Sequence, residues 1–107
     1  MYSFYLNNRR EKGFAYIDEL EEKALNKLYQ KKDIAFIEQL WDRYYEDYTF
    51  EINELENARK DMMEYLSIEN WNISNEEEKE QMYLIYKLVA IISYALFHKE
   101  CLLGSGD

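Results

Sequence analysis

The sequence predicts an all-α fold: a bundle of three to five helices in which an apolar C-terminal helix is the central element. Proline is absent from the 107 residues, and two of the three glycines, Gly104 and Gly106, lie in the last four positions. Because proline and glycine most often break helices and form turns, such a chain favours long helices. Its length and its 48% hydrophobic content suit one domain covering residues 1–107.

The N-terminal third carries the pattern of an amphipathic helix. Apolar residues recur there every three or four positions, which is the helical period. Asn7 or Asn8 could cap the start of this helix, and the polar run at 30–33 ends it. A strand is an alternative only at 2–6, where apolar side chains alternate. The apolar positions of the helix are Phe14, Ile17, Leu20, Ala24 and Leu28.

Residues 34–66 hold a second apolar stripe at helical spacing, which includes Trp41. A single helix over this range would be about 50 Å long at about 1.5 Å per residue. Two helices with a break near Thr49 are the alternative, since a threonine can cap a new start. Residues 67–74 are mostly polar and are predicted to form a connection.

The last predicted helix covers roughly residues 75–101. Ser74 and Glu77 have the spacing of a capping box, and the sixteen residues 82–97 contain one charge, that of Lys87. A helix that is apolar nearly all round is buried on most sides, which is why this one is predicted to be central. The positions predicted to be nearly fully buried are Ile85, Val89, Ile92 and Leu96.

The net charge is −9, and residues 33–70 alone contain eleven acids and three bases. Such a segment repels nucleic acids and anionic membranes, because both bind clustered lysine and arginine. The expected partner is therefore a basic protein.

The longest apolar run, residues 88–97, is half a membrane span, and the N-terminus lacks the order of a signal peptide. With a single cysteine, these features predict a cytoplasmic protein without a membrane span, and they leave its oligomeric state open.

The stretch 41–51, WDRYYEDYTFE, mixes five aromatic rings with four carboxylates and one arginine. Three of the rings fall on the apolar stripe and are predicted to be core, among them Tyr44. Tyr45 and Phe50 fall among polar and acidic neighbours, where a ring suits an interface and carboxylates attract a basic partner. A solvated helix face or a second core seam is the alternative. The predicted partner-binding residues are Glu38, Asp42, Tyr45, Glu46, Thr49, Phe50 and Glu51.

No catalytic, cofactor or metal site is predicted. His98 and Cys101 lie three residues apart, but they are the single histidine and the single cysteine of the chain, whereas zinc needs about four ligands. The Glu-x-x-His motif of two-metal bundles is absent, because position 95 is Ala95. A cysteine nucleophile needs an orienting partner and a cleft, and the sequence indicates neither. An enzyme is therefore the least favoured class.

In size, acidity and its tyrosine-acid surface, the chain resembles the small immunity proteins that neutralise bacterial nuclease toxins. The resemblance is carried by YYED at 44–47, which is similar to the paired tyrosines beside acids in the colicin DNase immunity family. It implies that Tyr44 and Tyr45 dock on the toxin while nearby acids select it. The expected function is a non-enzymatic antitoxin that occludes a nuclease cleft. The alternatives are a phage-encoded nucleic-acid mimic that inhibits a restriction or CRISPR effector, and a structural or regulatory helical adaptor.

Overall fold

A computed structural model describes residues 1–6 and 13–106 as a mixed α/β fold with a four-stranded antiparallel sheet. The prediction of an all-α helical bundle is therefore wrong, although helix remains the commonest structure. In chain order the elements are β1 Tyr2–Leu6, β2 Ala15–Ile17, α1 Glu19–Lys31, α2 Ala35–Asp42, β3 Tyr48–Phe50, α3 Ile52–Ile68, α4 Glu76–Phe97 and β4 Leu102–Gly106.

The sheet joins strands that are far apart in the sequence. Its strand order is β2-β1-β4-β3, so β4 lies between β1 and β3, and every pair is antiparallel. Phe4 lies opposite Gly104, and Phe50 lies opposite Leu102. Side chains of a strand alternate between its two faces, and the alternate apolar residues of β1 are all buried in the core. The apolar alternation at 2–6 therefore does mark a strand.

The start of α1 is set by Asp18. The Asp18 side chain accepts a hydrogen bond from the Glu21 N–H at 2.8 Å, and the Glu21 side chain accepts one from the Asp18 N–H at 3.0 Å. This reciprocal pair is a complete capping box. Ile17, predicted to lie on this helix, is in β2 instead. The predicted caps Asn7 and Asn8 lie outside the described residues.

The apolar stripe over 34–66 is divided between two helices, so the predicted alternative with a break near Thr49 is confirmed and a single continuous helix is wrong. α2 is followed by a turn at 43–47 and then by β3. The next helix, α3, is capped by Glu51, which forms a capping box with Glu54. Thr49 lies in β3 and not at the cap. Apolar residues spaced by four share one face of a helix and also one face of a strand, which is why the stripe continues across the break.

α4 packs against both α1 and α3, as a central helix should. Ile85 and Ile92 are fully buried, as predicted. Val89 and Leu96 are half-buried and pack against the edge of the core, so the prediction of near-complete burial is wrong for these two. The buried side of α4 is thus narrower than its apolar sequence suggests.

The ends of α4 differ from the predicted 75–101. Its N-cap is Asn75 rather than Ser74, and the Asn75 side chain accepts a hydrogen bond from the Glu78 N–H at 3.1 Å. Beyond its other end, Lys99 adopts the left-handed conformation with φ 56°. That conformation commonly follows the last turn of a helix, and here it leads the chain into β4.

α4 is the one helix in the described part of the chain that is long and apolar enough to cross a membrane. This is a matter of length and composition alone, and the core helix of a soluble protein meets the same criterion. In this fold 39% of its apolar 18-residue window is buried. The other residues of the window are half-buried or exposed.

Ile92 tests the central place of α4 in the core. We expect Ile92→Ala to lower the free energy of unfolding by about 2–5 kcal/mol, because it truncates a fully buried side chain. The matched control is Ile68→Ala, at an isoleucine that is 79% exposed, and it should change the free energy by less than about 0.5 kcal/mol. Denaturant unfolding measures both variants. Equal effects at the two positions would contradict the packing described here.

Candidate binding face around Tyr45

Residues 43–47 form a turn that connects α2 to β3. The N–H of Tyr44 donates to the carbonyl of Trp41, and the N–H of Glu46 donates to the carbonyl of Arg43, each at 3.2 Å. Local backbone hydrogen bonds of this kind define a tight turn. The 43–47 turn is therefore held in part by its own backbone hydrogen bonds.

Tyr44 is buried in the core, whereas the next residue, Tyr45, is exposed on the turn. Tyr44 is 2% exposed, and its ring stacks on that of Tyr2 with 4.9 Å between centroids. Tyr45 is 78% exposed, and its ring meets that of Tyr44 edge to face at 5.4 Å and 88°. The predicted division into a core ring and a surface ring is confirmed for this pair. Burial contradicts the docking role that the resemblance implies for Tyr44, which leaves Tyr45.

The end of β4 supports the turn. A Cβ at Gly106 would overlap the carbonyl of Tyr44, so the backbone of the turn rests directly on the backbone of β4. Beside this contact, Ser105 Oγ donates a hydrogen bond to Asp47 Oδ1 at 2.7 Å. The turn is therefore held in place by the sheet as well as by its own hydrogen bonds.

Carboxylates around the turn make structural contacts and still face the solvent. Asp42 Oδ1 accepts a hydrogen bond from the Tyr29 hydroxyl at 3.1 Å. Arg43 Nη1 pairs with Glu46 Oε1 at 3.4 Å between exposed side chains, an arrangement that contributes little to stability. The acids nevertheless remain exposed. Together with the exposed ring they form what we name the Tyr45 face, which consists of Asp42, Tyr45, Glu46 and Asp47.

The other four predicted binding residues do not belong to this face. Phe50 is wholly buried and in ring contact with Phe36 at 5.0 Å, so its prediction as a surface ring is wrong. Thr49 is half-buried and, as the neighbour of Phe50 in a strand, lies on the opposite side of the sheet. Glu38 is half-buried on α2, and Glu51 is the exposed N-cap of α3.

Asp47 belongs to the Tyr45 face but is not among the predicted binding residues, because that prediction assumed a helix. On a helix it would lie about 200° from Tyr45, at about 100° per residue, whereas the turn places both on one short exposed segment. Its bond to Ser105 also ties it to β4. Two consecutive acids before a Tyr-Thr-Phe run, which favours a strand, are the sequence feature that could have indicated a turn here.

The buried hydroxyls beneath the turn are affected by the acidic charge around them. Burial raises the pKa of Tyr2, and the charges of Asp47 and Glu46 raise it further. Burial also raises the pKa of Tyr44, followed by the charge of Glu22. Neither hydroxyl has a hydrogen-bond partner among the described residues. Both tyrosines therefore stay neutral at physiological pH and contribute packing, not charge.

His98 and Cys101 have separate neighbours. The His98 ring packs against Tyr94 at 4.5 Å, whereas the Cys101 thiol donates a hydrogen bond to Glu51 Oε2 at 3.2 Å. Burial and then this hydrogen bond raise the pKa of Cys101, and an activated thiol needs a lowered one. No group of three or more histidine, cysteine or acidic side chains that could hold a metal ion occurs among residues 1–6 and 13–106.

The chain was compared with models of protein families, with curated proteins and with solved structures, and none of them matches it. The Tyr45 face itself combines one exposed ring with three exposed carboxylates. Such a surface can contact another protein through ring area and negative charge.

Tyr44→Phe separates the packing of this ring from its hydroxyl. At pH 7 we expect the variant to be at least as stable as the wild type, because it keeps the stack on Tyr2 and removes a buried hydroxyl without a described partner. Above pH 10.0 the unfolded tyrosine ionises while the folded one stays neutral, so the wild type loses stability as the pH rises. The variant should lose less of its stability there.

Urea unfolding of both proteins measures these two effects. It is carried out at pH 7 and at about pH 11, which is above the ordinary tyrosine pKa of about 10. A loss of more than about 1 kcal/mol in the variant at pH 7 would show that the hydroxyl stabilises the fold, contrary to its environment in the structure.

Proposed function

We propose that this protein is a non-enzymatic immunity-type protein that binds and neutralises a basic protein, a bacterial toxin nuclease, through its Tyr45 face. The observation that carries the proposal is the placement of Tyr45. Its side chain is 78% exposed on a turn that is fixed to β4, and three exposed carboxylates lie within three residues of it in the chain. The resemblance of YYED at 44–47 to immunity proteins supports the same class of function.

A ring held in this way is suited to anchor a complex. Binding normally costs the free energy of ordering loops and side chains at the interface. The 43–47 turn is already ordered by its hydrogen bonds and by Gly106, and the ring of Tyr45 is already in contact with Tyr44. Exposed tyrosines with few freely rotating bonds are frequent hot spots in protein interfaces. Less of the interaction free energy is therefore lost on ordering.

The charge around the ring defines the partner. Residues 42–54 contain five carboxylates and one arginine, in a chain of net charge −9. A nuclease needs a basic cleft or rim to hold phosphates, and such a surface is complementary to the Tyr45 face. Opposite potentials accelerate association and disfavour acidic partners.

Neutralisation follows from occupancy alone. When the Tyr45 face lies in or beside a cleft that binds phosphates, its carboxylates engage the cations that the substrate requires, and the protein excludes the nucleic acid. No bond is made or broken in this mechanism, so inhibition should be stoichiometric and reversible. The strength of inhibition then follows the affinity of the complex.

A set of basic nuclease toxin domains tests the proposal, and it should include any nuclease encoded directly upstream of this gene. Each nuclease is expressed from a repressible promoter with and without the protein, and growth is recorded. We expect one nuclease to be neutralised and to form a stoichiometric complex by light scattering. Absence of rescue and of binding across the set would contradict the proposal.

For a nuclease so identified, Tyr45→Ala should raise the dissociation constant about 30-fold or more, which corresponds to about 2 kcal/mol. The effect should lie mainly in faster dissociation, because the anchor is lost while the charges remain. Surface plasmon resonance measures both rates. Ile68→Ala, at a side chain of similar exposure on α3, is the control and should bind as the wild type does. If Tyr45→Ala instead unfolds the protein, Tyr45 belongs to the core and the proposal fails.

The association rate constant should respond to Asp42→Lys and to Glu46→Lys. Each reverses a charge on the Tyr45 face, so we expect slower association and a weaker dependence of the association rate on salt. Glu64→Lys is the matched control, because it makes the same change in net charge at an exposed residue of α3. Equal slowing by the control would show that net charge alone matters and that this face has no special role.

A further inference from the structure

A line of exposed rings runs along α4. Tyr83 is 59% exposed, Tyr86 is 55% exposed and Phe97 is 81% exposed, and Tyr94 adds a fourth ring at 41%. Ala90, also exposed, lies among them. At about 100° per residue these five positions fall within about 80° of the helix surface. We name them the α4 stripe.

The α4 stripe is unusual because it faces away from the core. The outer face of a helix in a water-soluble domain is normally charged or polar. Here the one charge between residues 81 and 97 is Lys87, and its ammonium is bound by Glu21 at 2.9 Å and by the carbonyl of Tyr16 at 2.7 Å. No element in the described part of the chain covers Tyr83, Tyr86 or Phe97, and Tyr94 stays 41% exposed although its ring packs against that of Phe14 at 4.7 Å. The stripe is therefore a largely apolar helix face without a partner.

We infer that the α4 stripe binds a second copy of this chain, with the two α4 helices antiparallel and crossing at Ala90. The spacing of the rings carries the inference. Tyr86 and Tyr94 lie four residues either side of Ala90, and Tyr83 and Phe97 lie seven residues either side. A two-fold axis at Ala90 therefore sets Tyr83 against the second Phe97 and Tyr86 against the second Tyr94. Twofold interfaces need this self-complementarity.

The shape of the surface also suits a second helix. Ala90 has the smallest side chain of the stripe, so two helices can approach closely at the crossing point. Next to it lies an open hollow of about 750 Å³ lined by Arg59, Ser93, Tyr94 and Phe97, in which Arg59 Nη1 donates a hydrogen bond to Ser93 Oγ at 3.4 Å. In the antiparallel arrangement this hollow faces the second copy's Tyr86, whose ring can enter it.

The two ends of α4 differ in charge. The first turn carries Glu76, Glu77 and Glu78, of which Glu76 pairs with Lys79 and Glu77 with Lys27, whereas the exposed Lys99 follows the last turn, next to Glu100. An antiparallel pair places each acidic end near Lys99 of the other copy. It also opposes the two helix dipoles, which is the favourable arrangement. A parallel pair would bring the two acidic ends together.

The exposed area is that of a weak dimer. At about 200 Å² per aromatic side chain, the four rings expose roughly 450 Å² in each copy, or about 900 Å² in two. Specific interfaces begin near about 1,000 Å², which the neighbouring Tyr16 and the stem of Lys87 can supply. We therefore expect a dimer that forms at high concentration and dissociates on dilution.

A lipid surface suits the α4 stripe less well. Helices that lie on membranes carry lysine and arginine along their polar margin, whereas α4 begins with three glutamates in a protein of net charge −9. Sedimentation velocity from about 1 to 500 μM distinguishes the two partners when it is combined with flotation on vesicles of phosphatidylcholine and phosphatidylserine. We expect the mass to rise from 13.1 kDa towards twice that value, with no vesicle binding.

Two sets of variants locate the interface. Ala90→Arg should keep the protein monomeric over the same range of concentration, with its circular dichroism unchanged. The control Ala35→Arg, at an exposed alanine of α2, should dimerise normally.

In a Cys101→Ser background, Ala90→Cys should form a disulfide-linked dimer on mild oxidation. Tyr83→Cys should link to Phe97→Cys when the two variants are mixed, and much less to itself.

Three results would overturn the inference. One is a wild-type protein that stays monomeric at every concentration. The second is a dimer that is unaffected by Ala90→Arg, which would place the interface elsewhere. The third is a monomer that binds the vesicles through the α4 stripe. None of the four residues of the Tyr45 face takes part in these tests, so they are independent of the proposed toxin binding.

Discussion

The position of β4 between β1 and β3 is the constraint on which the rest of the structure depends. Gly104 and Gly106 make this position possible, because a Cβ at Gly104 would overlap the ring of Tyr2 and one at Gly106 would overlap the carbonyl of Tyr44. The space left by Gly104 is filled by the ring of Tyr2, which brings large apolar area to a small domain, and the space left by Gly106 is filled by the backbone of the turn. Packing and strand pairing therefore reinforce each other at this point of the fold.

The exposure of Tyr45 is a consequence of that packing. Tyr44 is held against Tyr2, and the next residue in a turn so constrained has to leave the core. The carboxylates beside Tyr45 also hold the structure together, since Asp42 accepts a hydrogen bond from Tyr29 of α1 and Asp47 accepts one from Ser105 of β4. The same side chains thus fix the turn and give it a negative surface. The α4 stripe differs, because it is an apolar surface that no described element covers.

Part of the fold could be predicted from the sequence, and the wrong predictions have physical causes. Helical period and end signals locate most of α1 and α4, because both helices have long amphipathic or apolar patterns. β4 reads Leu-Leu-Gly-Ser-Gly, which has little intrinsic preference for a strand. β4 becomes a strand because it pairs with β1 and β3, whose residues are far from it in the sequence.

The candidate site shows the same division. Tyr45 was placed at the surface by its acidic neighbours, and that prediction holds in a turn as it would on a helix. Phe50 was placed there by the helical angle, which is not the relevant geometry in β3, where alternate residues face the core. Asp47 was missed for the same reason. Local composition therefore indicated the candidate face, and only the fold defined which residues form it.

Hydrogen exchange of the backbone amides tests most directly whether β4 holds the structure together and supports the 43–47 turn. We expect the amides of β4 that pair with β1 and β3 to exchange only through global unfolding, with the Glu46 amide of the turn also protected. Exchange from β4 and the turn at the rate of an unstructured chain, while α4 stays protected, would contradict this. Tyr45 would then belong to a loose segment and could not act as a fixed anchor.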